Sequence, residues 1–190
     1  MPFDFQQGIR AAWIVVGLVW LIGAFITKRT ARHQPAASLI VHICLLVLAF
    51  TLLSKDFFRR GFLRWRFVPD SDTIGWTGFA LTAAGAALAI WARLYIGRNW
   101  SGTVTLKQDH ELVRSGPYSV VRHPIYSGLS LAFLGTALAV GEVRCLIAFV
   151  LLVFEFKRKS VLEERFMIEE FGSQYVQYRR EVKALIPFAW

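Results

Sequence analysis

Five apolar stretches constrain this chain more than anything else in its sequence. They run roughly over Ala11–Thr27, Ala36–Ser54, Thr73–Ile96, Ile125–Val140 and Val143–Phe156. With 55% hydrophobic residues and a mean hydropathy of +0.45, the 190-residue chain is too apolar for an ordinary soluble domain. Its length suits one domain over 1–190 rather than two. In lipid every backbone polar group must be satisfied internally, so spanning elements are helices or closed barrels. The apolar–polar alternation of barrel strands is absent here. The expected fold class is therefore all-α: an integral membrane helical bundle of about five transmembrane helices, followed by a C-terminal cytosolic helical segment.

Details of the stretches sharpen this expectation. The third, with GFALTAAGAALAIWA, carries Gly78 and Gly85 among alanines, and small residues at that density let helices approach closely. Only Gly141-Glu142 separates the fourth from the fifth, which predicts a tight helical hairpin. Both are short for a hydrocarbon core of about 30 Å, which takes about 20 residues, so helix is expected to continue at both ends.

The net charge of +9 and pI near 10.1 would suggest nucleic acid in a soluble protein. Here the bases sit in short clusters between apolar runs, the pattern of membrane loops, and no nucleic-acid partner is expected. Five spans put the first loop (Lys28, Arg29, Arg32), the loop before the fourth span and the tail on one side. That side holds about twice as many Lys and Arg as the other, which predicts a cytoplasmic C-terminus in a bacterial inner membrane. The loop SKDFFRRGFLRWRF, Ser54–Phe67, works against this, with five bases on the outer side. Its Phe/Trp/Arg pattern fits a segment lying on the membrane surface. No cleavable leader is expected, since MPFDFQQ lacks a basic n-region.

After the fifth span the chain turns charged. Val161, Leu162, Phe166, Ile168 and Phe171 recur at helical spacing, Gly172 interrupts, and a second short helix carries Tyr175, Tyr178 and Val182 on one face. Two polar sets stand out. One is Tyr118, Arg122, His123 and Tyr126; the other is Glu163 with Glu164. A hairpin returns the chain to the side it left, so the two sets meet at one membrane face. Pro124 fits the first turn of the fourth span, with His123 at the helix mouth and Arg122 just outside. A helix start and an arginine suit a carboxylate, and a glutamate suits an ammonium. A ligand bearing both, such as the methionine part of S-adenosylmethionine, satisfies both sets, and tyrosines offer aromatic faces to its sulfonium or adenine. Each residue also has a plainer reading: Arg122 as a headgroup anchor, Tyr118 and Tyr126 as interfacial aromatics, the glutamates as a solvated face. The combination carries the argument. The polar stretch GRNWSGTVTL, Gly97–Leu106, either lines this site or is an interfacial loop. No metal is expected: the four histidines lack paired ligand spacing, and Cys44 and Cys145 have no CxxC partner and imply no disulfide.

The stretch from Tyr95 to Gly128, YIGRNWSGTVTLKQDHELVRSGPYSVVRHPIYSG, together with EERF and FGSQYVQYRREVKALIP, resembles the isoprenylcysteine carboxyl methyltransferase family of integral membrane enzymes. The resemblance covers roughly the C-terminal half, and the GRNWSGTVT and DHELVRSGPY segments are similar to short bacterial members. It implies S-adenosylmethionine as cofactor, bound by the C-terminal part, approximately 97–190. Arg122, His123, Pro124 and Tyr126 match the family's RHPxY segment and Glu163-Glu164 its acidic pair, which implies cofactor-binding roles, with Arg122 and Glu164 also carrying the catalytic assignment. Tyr118, Tyr175 and Tyr178 match motif tyrosines and inherit a weaker cofactor-binding one. The acceptor implied is a lipophilic or lipidated carboxylate such as that of a prenylated cysteine.

Methyl transfer to a carboxylate needs no strong base, only alignment and exclusion of water. Arg122→Ala and Glu164→Ala are then expected to abolish transfer and leave the protein folded. Three rivals stay open at this level. They are an NADPH-dependent sterol-type reductase, methylation of a phospholipid amine or small thiol with His123 as base, and a structural membrane protein that binds no nucleotide.

Overall fold

The computed structural model describes residues 4–27, 30–33, 35–54, 60–100, 105–107 and 111–186. Lys28, Arg29, residues 55–59 of the Phe/Trp/Arg loop, residues 101–104 of the polar stretch and Pro187, all used in the sequence reading, lie outside the described residues. Among the described residues six α-helices carry the architecture: α1 (Phe5–Ala24), α2 (Ala36–Ser54), α3 (Asp72–Ile96), α4 (Pro124–Val140), α5 (Val143–Phe171) and α6 (Ser173–Glu181). A two-stranded antiparallel ribbon, β1 (Thr30–His33) with β2 (Thr105–Lys107), and two isolated bridges, Arg66 with Glu142 and Val121 with Lys183, depart from an all-helical chain, and no alternation in the sequence announced them.

Local chemistry sets the helix ends. The Asp4 side chain accepts the Gln7 amide at 2.7 Å, so α1 begins at the cap rather than at the first apolar residue, six positions before the expected boundary. Ser71 caps α3 in the same way, accepting from Ile74 at 3.3 Å. Pro124 opens α4, and Gly141 at φ 72° closes it against α5, giving the expected hairpin.

Among the described residues three helices, α1 to α3, are long and apolar enough to cross a membrane; α4 is a shorter apolar helix. The expected extension occurs in only one of the two hairpin arms. α4 stays at 17 residues, about 25 Å, because His123 and Gly141 bound it. α5 runs unbroken for 29 residues, about 43 Å, from its apolar first half through the charged segment to Gly172. Val182 ends α6 as its C-cap, so only Tyr175 and Tyr178 lie on that helix.

The closest packing is between α3 and α4. A Cβ on Gly85 would lie 2.4 Å from Ala132 N and Gly128 O, and one on Gly78 would lie 2.6 Å from Gly135 O. The small residues thus bring two backbones into contact, as their density implied. α1 packs on α3 and α2 on α5. Trp13 reaches Phe133 of α4 with ring centroids 4.4 Å apart. The remaining faces of α1 and α2 show exposed apolar side chains, including Leu21 and Ile22 at 60% and Ile40 at 61%, as a lipid-facing surface does.

Several bases serve as helix-end ligands. Arg144 pairs with Glu142 at 2.5 Å and donates to the carbonyls of Leu52 and Leu53, the end of α2. Arg66 donates to Val140 O at 3.2 Å, the end of α4. At the opposite face Arg93 joins the ends of α1 and α3, donating to Gly23 O at 2.7 Å and Gly97 O at 3.0 Å. In the Phe/Trp/Arg loop, Gly61–Arg64 forms a 3-10 turn with Phe62 and Trp65 largely exposed, as a surface-lying segment requires.

Candidate functional site

A 3-10 turn at Gly116–Ser119, with Gly116 at φ 57°, turns Tyr118 inward; its hydroxyl donates to Ala92 O at 3.3 Å. The next residues run beside the tail that follows α6. Arg122 N donates to Lys183 O at 2.8 Å and His123 N to Ala184 O at 3.0 Å. The tail therefore fixes the backbone at the mouth of α4.

The two polar sets of the sequence meet there. Arg122 Nε and Nη2 both donate to Glu164 Oε1, at 3.0 and 2.6 Å, and Nη1 donates to the carbonyls of Arg179 (3.2 Å) and Val182. His123 lies between the carboxylates, with Nε2 3.2 Å from Glu164 Oε1 and Nδ1 3.4 Å from Glu163 Oε2. Tyr126 donates its hydroxyl to Glu163 Oε1 and stacks between His123 and Phe156, at centroid distances of 5.6 and 5.2 Å. Arg179 Nε reaches Glu164 Oε2 at 3.2 Å. Tyr175 and Tyr178 are buried edge-on at 5.8 Å, and the Tyr178 hydroxyl donates to the Tyr118 carbonyl.

These contacts fix the charge states. Burial alone would raise both carboxylates; the hydrogen bonds and charges around them win. His123 and Arg122 hold Glu164 at about 2, and His123, Lys159 and Tyr126 hold Glu163 below the usual carboxylate range. For His123, burial would lower the imidazole, and the two glutamates reverse that and raise it, favouring the cation. Burial keeps the tyrosines neutral: Tyr118 and Tyr175 are raised, Tyr178 to about 12.

A cavity of about 520 Å³, within the ordinary range for small-molecule sites, opens beside this cluster. Eight of the nine sequence-derived site residues line it: Tyr118, Arg122, His123, Pro124, Tyr126, Glu163, Tyr175 and Tyr178. Glu164 is not among the lining residues. Adjacent positions on a helix diverge by about 100°, so Glu163 and Glu164 cannot face one space, and it is Glu163 that looks inward. Arg122 borders the cavity with its donors already engaged by protein oxygens, so the open guanidinium grip expected from the sequence is instead a clasp.

The sequence reading missed two groups, Lys159 and His42, and left two readings open for the polar stretch Gly97–Leu106. Lys159, 6% exposed, lines the cavity one turn before Glu163, with its Nζ 5.6 Å from the Tyr126 ring centroid; burial lowers its pKa and Glu163 opposes this. In the sequence it is one letter of KRK, indistinguishable from a membrane flank. Asn99 and Trp100 put the GRNW end of the polar stretch on the cavity wall; residues 101–104 lie outside the described set. His42 of α2 also lines the cavity and donates from Nδ1 to the fully buried Glu155 at 2.8 Å, whose two oxygens Arg158 binds at 2.7 Å each. That pairing spans 113 positions and left no local signal.

The far end of the same cavity is apolar, with walls formed by Trp13, Leu46, Phe50, Leu129 and Phe133. One space thus joins a charged, tyrosine-walled end at a helix mouth to a greasy end between helices.

Comparison with known proteins adds the following. A family model described as phospholipid methyltransferase matches residues 73–174, which takes in α3, the Arg-His-Pro segment and both glutamates but stops short of Tyr175 and Tyr178. The protein-S-isoprenylcysteine O-methyltransferase of Xenopus laevis is 32% identical over 126 residues, covering 63% of this chain and 44% of the relative. The human protein of that name is 31% identical over 128 residues, covering 64% and 45%. Protein-S-isoprenylcysteine O-methyltransferase B of Arabidopsis thaliana is 31% identical over 114 residues, covering 58% of each. A solved structure of the eukaryotic intramembrane Ras methyltransferase, isoprenylcysteine carboxyl methyltransferase, superposes with a TM-score of 0.55 at 25% identity. It covers 83% of this chain and 55% of that one. The chain spans about half the length of the relatives it matches.

Proposed function

Since the chain belongs to the phospholipid methyltransferase family, we propose that it is an S-adenosylmethionine-dependent membrane methyltransferase acting on a lipophilic acceptor, the carboxylate of an isoprenylcysteine-like molecule. The observation that carries this reading is the single cavity with a charged end and an apolar end. A polar donor and a greasy acceptor need such a space if they are to meet.

The residues at the charged end fit the donor. Glu163, ionised and facing the cavity, suits its α-ammonium. The neutral faces of Tyr118, Tyr126, Tyr175 and Tyr178 suit a sulfonium or a purine. S-adenosylmethionine, when bound, supplies a methyl group already activated on a sulfonium. The chain's own contribution is placement and dryness. Pro124 starts the helix that presents His123 and Tyr126. Arg122 and Glu164 act as positioning residues, locking the α4 mouth to α5 and α6. Lys159, the buried amine in the wall, suits the acceptor carboxylate, and the apolar end suits its hydrocarbon chain. In this reading the chain acts as one domain: its C-terminal part, approximately 97–190, holds the donor, while α1 and α2 complete the acceptor end.

The family's description keeps a phospholipid amine in view as acceptor. An amine nucleophile needs a base, and the two carboxylates flanking His123 raise its pKa and favour the cation, which leaves less of the neutral imidazole for that task. A carboxylate acceptor needs none. The relatives' names are those of methyltransferases, which favours transfer over nicotinamide-dependent reduction. The site end of the bundle is assigned to the cytosolic face. The larger share of Lys and Arg in the loops and tail at that end supports this.

The test is a thermal-shift titration of the detergent-purified protein with S-adenosylhomocysteine and with NADPH, followed by transfer of labelled methyl to a small S-farnesylated cysteine. Stabilisation by S-adenosylhomocysteine alone, and base-labile label on the acceptor, are expected. Stabilisation by NADPH alone would overturn the reading.

A further inference from the structure

Asn99 ends the 3-10 turn Gly97–Asn99 that follows α3. It is 9% exposed and stands in the cavity wall, and among the described residues its buried Oδ1 has no hydrogen-bond partner. A buried acceptor without a donor carries its full desolvation penalty, and native structures rarely leave one without a reason. The turn that holds it is firmly pinned. Arg93 donates to Gly97 O at 3.0 Å, lies 4.1 Å from the ring centroid of Trp100, and so ties the turn to the end of α1. Trp100 in turn meets Trp20 edge-on at 6.1 Å. An orphan acceptor on a rigid support is the arrangement of a recognition group waiting for a donor.

The chemistry of the cavity narrows what that donor is. An ammonium group is drawn to the ionised Glu163, which projects from α5, whereas Asn99 stands at the end of α3. A hydrocarbon chain offers no N–H. A carboxamide is best matched by a neutral amino group beside a ring nitrogen, which satisfies its oxygen and its NH₂ together; adenine presents such an edge. It satisfies the side chain whichever way the carboxamide is turned.

We propose that Asn99 reads the amino-purine edge of the methyl donor, its Oδ1 accepting from the exocyclic amino group. This rests on the donor assigned above. Asn99 thereby makes the site selective for an adenine nucleoside, while Glu163 and the tyrosines serve the amino-acid and sulfonium parts.

The experiment is calorimetric binding of two ligands to the full-length protein in detergent: S-adenosylhomocysteine, and its analogue whose purine lacks the 6-amino group. Wild type should bind the analogue about tenfold more weakly. Asn99→Ala should bind S-adenosylhomocysteine about tenfold more weakly and no longer distinguish the two. Asn99→Asp, of equal size and still an acceptor, should keep the preference for the amino form. A wild type that binds both ligands equally overturns the proposal without any variant, and so does an Asn99→Ala protein that keeps the wild-type preference, as it would if Asn99 met a ribose hydroxyl. Failure of wild type to bind S-adenosylhomocysteine at all would sink the donor assignment itself. Normal binding with an unchanged preference in Asn99→Ala would sink only the role of Asn99.

Discussion

Arg122 Nη2 lies 2.6 Å from Glu164 Oε1, across 42 positions of sequence. The same guanidinium ties down the last carbonyls of α6 through Arg179 and Val182. One side chain therefore holds together the mouth of α4, the second half of α5 and the end of α6. The pair is nearly buried on both sides, at 9% and 11% side-chain exposure, so removing Arg122 leaves a buried carboxylate with only the longer contacts to His123 and Arg179 and frees the α6 carbonyls.

Arg122→Ala should accordingly destabilise the protein by about 3 kcal/mol as well as abolish transfer. This changes the expectation from sequence, which had the variant folding normally, because sequence showed the arginine without its protein partners. Arg122→Lys keeps the charge but loses the fork and should recover only part of the stability. Thermal unfolding in detergent, read beside donor binding, checks this. A variant with wild-type Tm would show that the clasp does not support the site.

The same cluster sets a pH window. Glu164 is depressed to about 2 from 4.5, so its contribution to stability is full above about 4.5 and is lost as pH falls through about 2. His123 is raised above 6.5, so its contribution is full below 6.5 and is lost as pH rises through the folded-state value. Together they contribute most between about 4.5 and 6.5. Tm measured against pH should show the excess of wild type over His123→Gln shrinking above 6.5, and that over Glu164→Gln shrinking below 4.5. An excess that grew with pH for His123 would refute the cationic assignment.

What the sequence revealed, and what it hid, follows from the range of each signal. The hairpin at Gly141-Glu142 needed only two turn residues and two apolar runs to be read, and it carried the inference that Arg122 and the glutamates share a face. Helical spacing gave α6 its tyrosines. Which glutamate faces the ligand depends on the phase of a 29-residue helix around its own axis, and that is set by packing on α2 and α4. Lys159 hid inside a basic run. The pairing of His42 with Glu155 depends on two helices meeting, and no local pattern reports it. The start of α1 was missed because a cap at Asp4, not hydropathy, decides it.

Glu163→Gln separates charge from shape. The amide fills the same space beside Tyr126 and lacks the anion proposed to hold an ammonium. Hydrogen bonds to charged groups contribute about 1.5–3 kcal/mol, so S-adenosylhomocysteine should bind roughly ten- to a hundredfold more weakly. Calorimetry on the detergent-solubilised variant measures this, and unchanged affinity would remove Glu163 from the donor site.

Lys159→Met keeps the length and apolar stem of the side chain and removes its charge. If the ammonium holds the acceptor carboxylate, KM for the farnesylated acceptor should rise about tenfold or more while donor affinity stays near wild type. The split between the two readouts matters, since a merely structural lysine would move both together. Loss of donor binding with KM unchanged would place Lys159 on the donor instead.

Gly85 ties the fold to the site. A methyl group there would lie 2.4 Å from Ala132 N and Gly128 O, both backbone atoms, so α3 and α4 would have to move apart. Gly85→Ala should cost about 1–3 kcal/mol despite the better helix propensity of alanine. Gly17→Ala on α1, with nothing within 4 Å of the added carbon, should hold or raise Tm and serves as the control. The damage should reach binding too. Gly128 lies one turn beyond Pro124, so a wedge between it and Gly85 shifts the helix that presents His123 and Tyr126 relative to the α3 end that presents Asn99. Gly85→Ala should therefore weaken S-adenosylhomocysteine binding even at temperatures where the variant remains folded. Retained affinity alongside a lowered Tm would mean that the two walls of the cavity are positioned independently of the α3–α4 seam.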